Sequence, residues 1–206
     1  MNKIIFTEEF CQPANLHPFT LTRQIQDIRV GILTIREKWE RMLGLPSFDK
    51  KEDDYKDLDR SVNIDEAVGD DVCFMIHGNV LPDAKLVKAT RRLKDGEFIT
   101  VDGSSGIIFR FTKKQIEEKY KIKVTRAVAV KSDVQTIRYP WDIFQLNDRA
   151  IRQDFELLTK KRKSQAISKT NRVTKSSQVF LEKVRRWNTA SSMHLPGRCI
   201  LEKMLK

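Results

Sequence analysis

Five consecutive apolar residues, Val72 to Ile76 (VCFMI), running straight into His-Gly-Asn, constrain this chain more than any other feature. A short unbroken apolar run closed by turn residues is the pattern of a strand buried on both faces, with a functional loop at its carboxyl end. The flanking segments agree. Ile4 to Phe6 reads as a second short buried strand, followed by a loop holding Pro13, Asn15 and Pro18. Thr34 to Leu43 carries Ile35, Trp39 and Leu43 at helical intervals, with Thr34 and Glu37 in capping-box spacing and Gly44 just past the end, which predicts a helix. Asp83 to Leu93 and Thr112 to Tyr120 are expected as helices. Phe98 to Val101 and Gly106 to Phe111 read as a hairpin across DGSSG, and Ile122 to Val130 and Val134 to Tyr139 as strands. Trp141 to Leu158 is a long amphipathic helix. Ser47 to Asp71, acidic and sparsely apolar, is expected to be an exposed excursion. Strands interleaved with helices predict an α/β layered domain.

With 206 residues the chain has length for one ample α/β domain or two small ones. No apolar run reaches the roughly 18 residues of a membrane span, and acids stand where a secretory signal would be apolar, so a cytoplasmic protein is expected. Cys11, Cys73 and Cys199 are an odd count at spacings unlike zinc patterns, and His17, His77 and His194 form no ligand pair. The net charge of +11 is uneven: residues 1–159 carry 26 basic and 26 acidic side chains, and residues 160–206 carry 13 and 2. A neutral body argues against a nucleic-acid-binding face, which needs clustered phosphate-neutralising charge.

The segment Leu16 to Lys38 gathers Thr20, Thr22, Arg23, Arg29, Arg36 and Lys38 between a first strand and a helix. Donors and cations at that position suit phosphate binding, because a helix N-terminus and its preceding loop present unpaired amides and a favourable dipole. Surface ion pairs and capping would account for the same residues.

Three strings in this order, LHPFTLTRQIQDIRVGILTIREKW, IHGNVLP and YPWDIFQLNDRAIRQDFELLTK, resemble bacterial sugar-nucleotidyltransferase-like proteins related to the N-terminal half of N-acetylglucosamine-1-phosphate uridylyltransferase. The resemblance covers nearly all of Met1 to Phe180. It implies a Rossmann-like nucleotide-diphospho-sugar transferase fold, a three-layer α/β/α domain with a mixed sheet. It also implies Mg²⁺-dependent transfer of a nucleotidyl group from a nucleoside triphosphate to a sugar 1-phosphate, of the glucose-1-phosphate thymidylyltransferase or N-acetylglucosamine-1-phosphate uridylyltransferase type. On that resemblance Arg23 and Arg29 become a phosphate clamp, with Thr20, Thr22 and Lys38 as substrate contacts. Asn79 in HGN, Asn147 in LNDR and Asp142 in PWD become the metal ligands. Asn79 could equally end its strand, Asn147 sit on a solvated helix face and Asp142 serve as an N-terminal charge on its helix.

The chain departs from the family pattern in two places. Where relatives carry a Gly-rich loop after the first strand, TEEFCQPAN has no glycine and two acids, Glu8 and Glu9, which would repel phosphates. A non-catalytic nucleotide-sugar binding or assembly module is therefore the alternative function. Relatives also continue into a left-handed β-helix, which supports oligomers of the full-length form. Here residues 1–159 are expected as the nucleotidyltransferase-like domain, 160–182 as a basic linker, and 183–206 as an aberrant or disordered tail without hexapeptide periodicity. Synonymous codons can be chosen for 183–206 so that, read two bases later, they encode GAKVEYSILNASTGPVYIGKDAE, an entry into such a helix. A frameshift truncating the protein near Glu182 is the expectation, and the gene's own codons test it.

Overall fold

β1 (Lys3–Thr7) and β4 (Cys73–His77) run parallel at the centre of a seven-stranded sheet in the computed structural model, which describes residues 2–50, 60–64, 68–69, 71–101, 105–116, 122–130, 133–170, 172–182 and 199–201. The remaining strands are β2 (Ser47–Lys50), β3 (Ser61–Val62), β5 (Glu97–Thr100), β6 (Gly106–Phe111) and β7 (Arg126–Ala129), in the order β3-β2-β1-β4-β6-β5-β7. β6 is antiparallel to both neighbours and every other pairing is parallel, so the sheet is mixed. A separate parallel pair joins β8 (Val179–Leu181) to β9 (Cys199–Leu201). Three helices are described: α1 (Ile35–Leu43), α2 (Ala84–Arg92) and α3 (Pro140–Thr159).

All five residues of β4 are buried, as an unbroken apolar run requires of a strand covered on both sides. Register then sorts the central side chains. Ile4 pairs with Phe74 and Phe6 with Ile76 on one face, where Ile35, Trp39, Leu86, Val87, Ile143 and Ala150 of the three helices pack. On the other face Ile5 and Met75 meet Phe111, Ile64 and Val68. Both faces are covered, and the α/β layered fold expected from the sequence is the one observed.

α1 forms as its ends predict. The Thr34 hydroxyl accepts from the Glu37 amide at 3.1 Å, the Glu37 carboxylate accepts from the Thr34 amide at 2.8 Å, and Gly44 closes the helix at φ +73°. The β5–β6 pairing is the expected hairpin, and α2 starts on Asp83, whose carboxylate accepts from Leu86 N.

Three expectations change. Ser47 to Lys50 is a sheet strand rather than part of an exposed excursion, because its inward Ser47 and Asp49 are buried against Arg36; residues 51–59 lie outside the described set. In the segment expected as a helix from Thr112 to Tyr120, the described residues 112–116 form a 3-10 turn, Lys113–Gln115; residues 117–120 lie outside the described set. Val134 to Tyr139 forms no strand and instead bridges the loop after β4, pairing Thr136 with Val80. Among the described residues no helix is long and apolar enough to cross a membrane. Of the expected tail, residues 183–198 and 202–206 lie outside the described set.

Candidate functional site

Leaving β1, the chain builds β2 and β3 on one side of it and then returns to the other side as β4. Loops from the carboxyl ends of β1 and β4 therefore diverge, and such a switch point is where open α/β sheets leave a crevice for ligands. A cleft of about 620 Å³ opens there. Glu9, Phe10 and Asn15 line it from the β1 side, His77 and Asn79 from the end of β4, and Thr136, Arg138 and Tyr139 from the approach to α3.

The floor is built from the HGN loop. Gly78 N donates to the Thr7 carbonyl at 3.0 Å, and a Cβ at Gly78 would stand 2.5 Å from Gln26 Oε1, so a side chain there would displace that amide. The Asn79 carbonyl accepts from Ile137 N at 3.0 Å, and the Val80 carbonyl accepts from the Trp39 indole at 2.8 Å. His77 is 5% exposed, stacks on Phe10 with centroids 5.0 Å apart, and meets Phe109 at 6.2 Å. Its Nε2 is buried and has no hydrogen-bond partner among the described residues. Burial pushes the imidazole pKa down to about 4, against an opposing pull from Glu9, so the ring is neutral. Arg138 is exposed and is the only basic residue in the described lining.

Leu16 and Ile25 line this cleft, but none of the threonines and cations singled out between Leu16 and Lys38 does. Thr20 donates to the Pro13 carbonyl at 2.6 Å and ties the loop to itself, while Thr22 and Arg23 are exposed. Arg29 is exposed and its guanidinium donates to the Ile32 carbonyl. Arg36 is 4% exposed and holds Asp49 at 2.7 and 2.8 Å and Asp27 at 2.6 and 3.1 Å, with its guanidinium 5.3 Å from the Phe6 ring centre. Burial works against that charge, but hydrogen bonds and charge from the two aspartates outweigh it and the Arg36 pKa is raised.

Lys38 is likewise buried, in an ion pair with Asp154 of α3. The second Asp154 oxygen accepts from Ile32 N at 2.9 Å and Leu33 N at 3.0 Å, and one turn pair earlier Asn147 Oδ1 accepts from Gly31 N at 2.9 Å. Gly31 sits at φ +86°, and a Cβ there would stand 2.7 Å from Asp154 Oδ2 and 2.9 Å from Ala150. One face of α3 thus clamps the RVGIL loop. Helical spacing cannot announce partners 116 residues apart in sequence, which is why Lys38 and Asn147 read as ligand contacts from sequence.

The acids of TEEFCQPAN also have partners: a Glu8 oxygen accepts from Ile25 N at 2.6 Å, and Glu9 pairs with Lys50. Of the residues expected to hold Mg²⁺, Asn79 lines the cleft. Asn147 Oδ1 is spent on Gly31, and Asp142 Oδ2 accepts from the Arg138 and Tyr139 amides at 2.7 and 2.9 Å to cap α3. Among the described residues no cluster of three His, Cys, Asp or Glu could hold a metal. A divalent ion wants hard anionic oxygens, and this dispersed set does not fit one. His77, Arg138 and Phe10 were missed from sequence; the HGN turn after a fully apolar strand was the signal for the first.

A family model described as sugar nucleotidyl transferase matches residues 4–163. A solved structure described as a glucose-1-phosphate thymidylyltransferase from Bacillus anthracis in complex with sucrose matches with a TM-score of 0.50 at 12% identity, over 73% of this chain and 94% of that chain. That likeness is one of fold and gives the Rossmann-like class observed here. No curated protein matches the chain.

Proposed function

We infer the function from one premise: this chain belongs to the sugar nucleotidyl transferase family. We propose that it transfers a nucleotidyl group from a nucleoside triphosphate to a sugar 1-phosphate, and that both substrates meet in the switch-point cleft. The observation that carries this reading is the cleft itself, about 620 Å³ at the carboxyl ends of β1 and β4. A phosphate oxygen of the sugar 1-phosphate attacks the α-phosphorus, the bond to the β-phosphate oxygen breaks, and pyrophosphate leaves. Such a reaction asks a protein for alignment and charge neutralisation rather than covalent chemistry. Arg138 at the cleft supplies one positive contact. Asn79, Thr136 and Asn15 offer neutral hydrogen bonds to the sugar and base.

The dispersal of the expected metal ligands and the glycine-free TEEFCQPAN loop favour a second reading, a nucleotide-sugar binding or assembly module that kept the fold without the reaction. Purified protein incubated with Mg²⁺, each nucleoside triphosphate, and glucose 1-phosphate or N-acetylglucosamine 1-phosphate separates the two. Pyrophosphate release with any pair supports transfer. No release with any pair, while calorimetry detects UDP- or dTDP-sugar binding, refutes transfer and supports the module.

A further inference from the structure

The outward face of α3 opens on a cluster of aromatic rings. Trp141 is 55% exposed, Phe144 is 70% exposed, and Tyr139, just before the helix, stacks on Trp141 with ring centres 4.6 Å apart. Residues three apart on a helix are neighbours, so the rings form one patch. Single exposed apolar side chains are ordinary, but large aromatics gathered on a helix mark an interaction surface. Further along, the same face carries Arg149 and Arg152, both exposed. Arg149 donates to Asp133 at 2.9 Å, and Arg152 donates to Asp148 at 3.0 and 3.1 Å. These bonds use the edges of the guanidinium groups and leave their flat faces to stack on a ring.

The order of side chains along this face is symmetric. Trp141 and Arg152, Phe144 and Arg149, and Gln145 and Asp148 stand at equal distances on either side of the midpoint between Leu146 and Asn147, and all six are exposed. Ile143 and Ala150, equally spaced about that point, are both buried against the sheet. A two-fold contact requires that when one residue meets a second, the second meets the first. Laid antiparallel on a copy of itself, this face sets each exposed ring against an arginine. A lipid surface suits it less well, because Asp148 and Glu156 on the same exposed side repel anionic headgroups.

We propose that α3 is a self-association surface. A second copy packs its own α3 antiparallel across it, about a two-fold axis between Leu146 and Asn147, with Trp141 against Arg152 of the second copy and Phe144 against Arg149 of the second copy. Tyr139 lines the cleft as well as stacking on Trp141, so the contact begins at the cleft's lip. Because the helices run in opposite directions, the two clefts lie at opposite ends of the pair.

A contact of three helical turns is a small interface, and a Kd of about 10–100 μM is expected. Sedimentation equilibrium on the full chain from about 5 to 500 μM spans that range. The average mass is expected to double across the series. Trp141→Ala with Phe144→Ala, and separately Arg149→Ala with Arg152→Ala, should each weaken association about tenfold or more. All four side chains are exposed, so circular dichroism should show both double variants folded like the parent. A parent that stays monomeric at the highest concentration overturns the proposal. If it stays monomeric yet cosediments with vesicles of phosphatidylglycerol and phosphatidylcholine, the patch belongs to a membrane surface and the proposal is equally overturned. Association that survives in the aromatic variant refutes the surface, and association that survives in the arginine variant refutes the antiparallel pairing.

Discussion

Replacing Asp154 by Ala removes one carboxylate and three favourable contacts in a place water scarcely reaches. Asp154 is 2% exposed and its partner Lys38 is 4% exposed. Stripping one member from a buried ion pair costs about 3–5 kcal/mol, since the remaining charge is left without compensation. The amides of Ile32 and Leu33 lose their acceptor at the same moment, and each unmet buried donor costs about 1–3 kcal/mol. These losses overlap, because Lys38 and the loop can relax into the space vacated, so a total near 5 kcal/mol is expected rather than the full sum. Set against a typical domain stability of about 5–15 kcal/mol, that takes the protein to the edge of folding. Asp154→Asn retains one oxygen for the two amides but turns an amide group toward the ammonium, and should cost about 3 kcal/mol. Urea unfolding followed by circular dichroism gives the values, with Lys38→Met and the double variant completing a cycle. In the Lys38→Met background the Asp154→Ala cost should fall by about 2 kcal/mol, because no buried charge is then stranded. An Asp154→Ala cost under about 1 kcal/mol, or the same cost in both backgrounds, would refute the clamp as a determinant of stability.

The same clamp predicts that Gly31→Ala costs about 3 kcal/mol, from a left-handed backbone and from collision with Asp154 and Ala150, whereas Gly44→Ala, at φ +73° with open space around its Cβ, costs about 1 kcal/mol. Chemical denaturation of the two variants side by side checks the difference, and equal costs would remove the packing contribution at Gly31. Cys73 is fully buried and burial raises its pKa from 9.0 to about 11. The folded thiol therefore keeps its proton between pH 9 and 11 while the unfolded thiol loses it, so stability present below pH 9 is lost across that window, by about 2 kcal/mol at the top of it. Urea midpoints of the parent and Cys73→Ala should converge as the pH rises through this window; parallel pH profiles would count against the burial of this thiol.

Local rules made much of the fold legible. The Thr34 and Glu37 capping box, Gly44 beyond it, the apolar run into HGN and the helical spacing after Pro140 each act within a few residues, and each produced the element expected. Where the sequence misled, the determining contact was distant. Asp49 made β2 look like an exposed acidic stretch, yet Arg36 from α1 buries it between the sheet and the helix. Lys38 read as a substrate contact, and Arg36 as one of the cations gathered after β1, because their buried partners are not adjacent in sequence. Their partners Asp154 and Asp49 lie 116 and 13 residues away. The confinement of His77 between two rings, one of them from β6, was equally invisible to local spacing.

The hold of α3 on the loop behind β1 also orders events during synthesis. Gly31, Ile32, Leu33 and Lys38 are made early, and their partners Asn147 and Asp154 only after more than a hundred further residues. A nascent chain halted before residue 140 would carry the stem of the future cleft with a stranded ammonium and unmatched amides. The N-terminal third thus waits on the ribosome for a helix near the other end, and the first half of the polypeptide, expressed by itself, would be a natural client for chaperones.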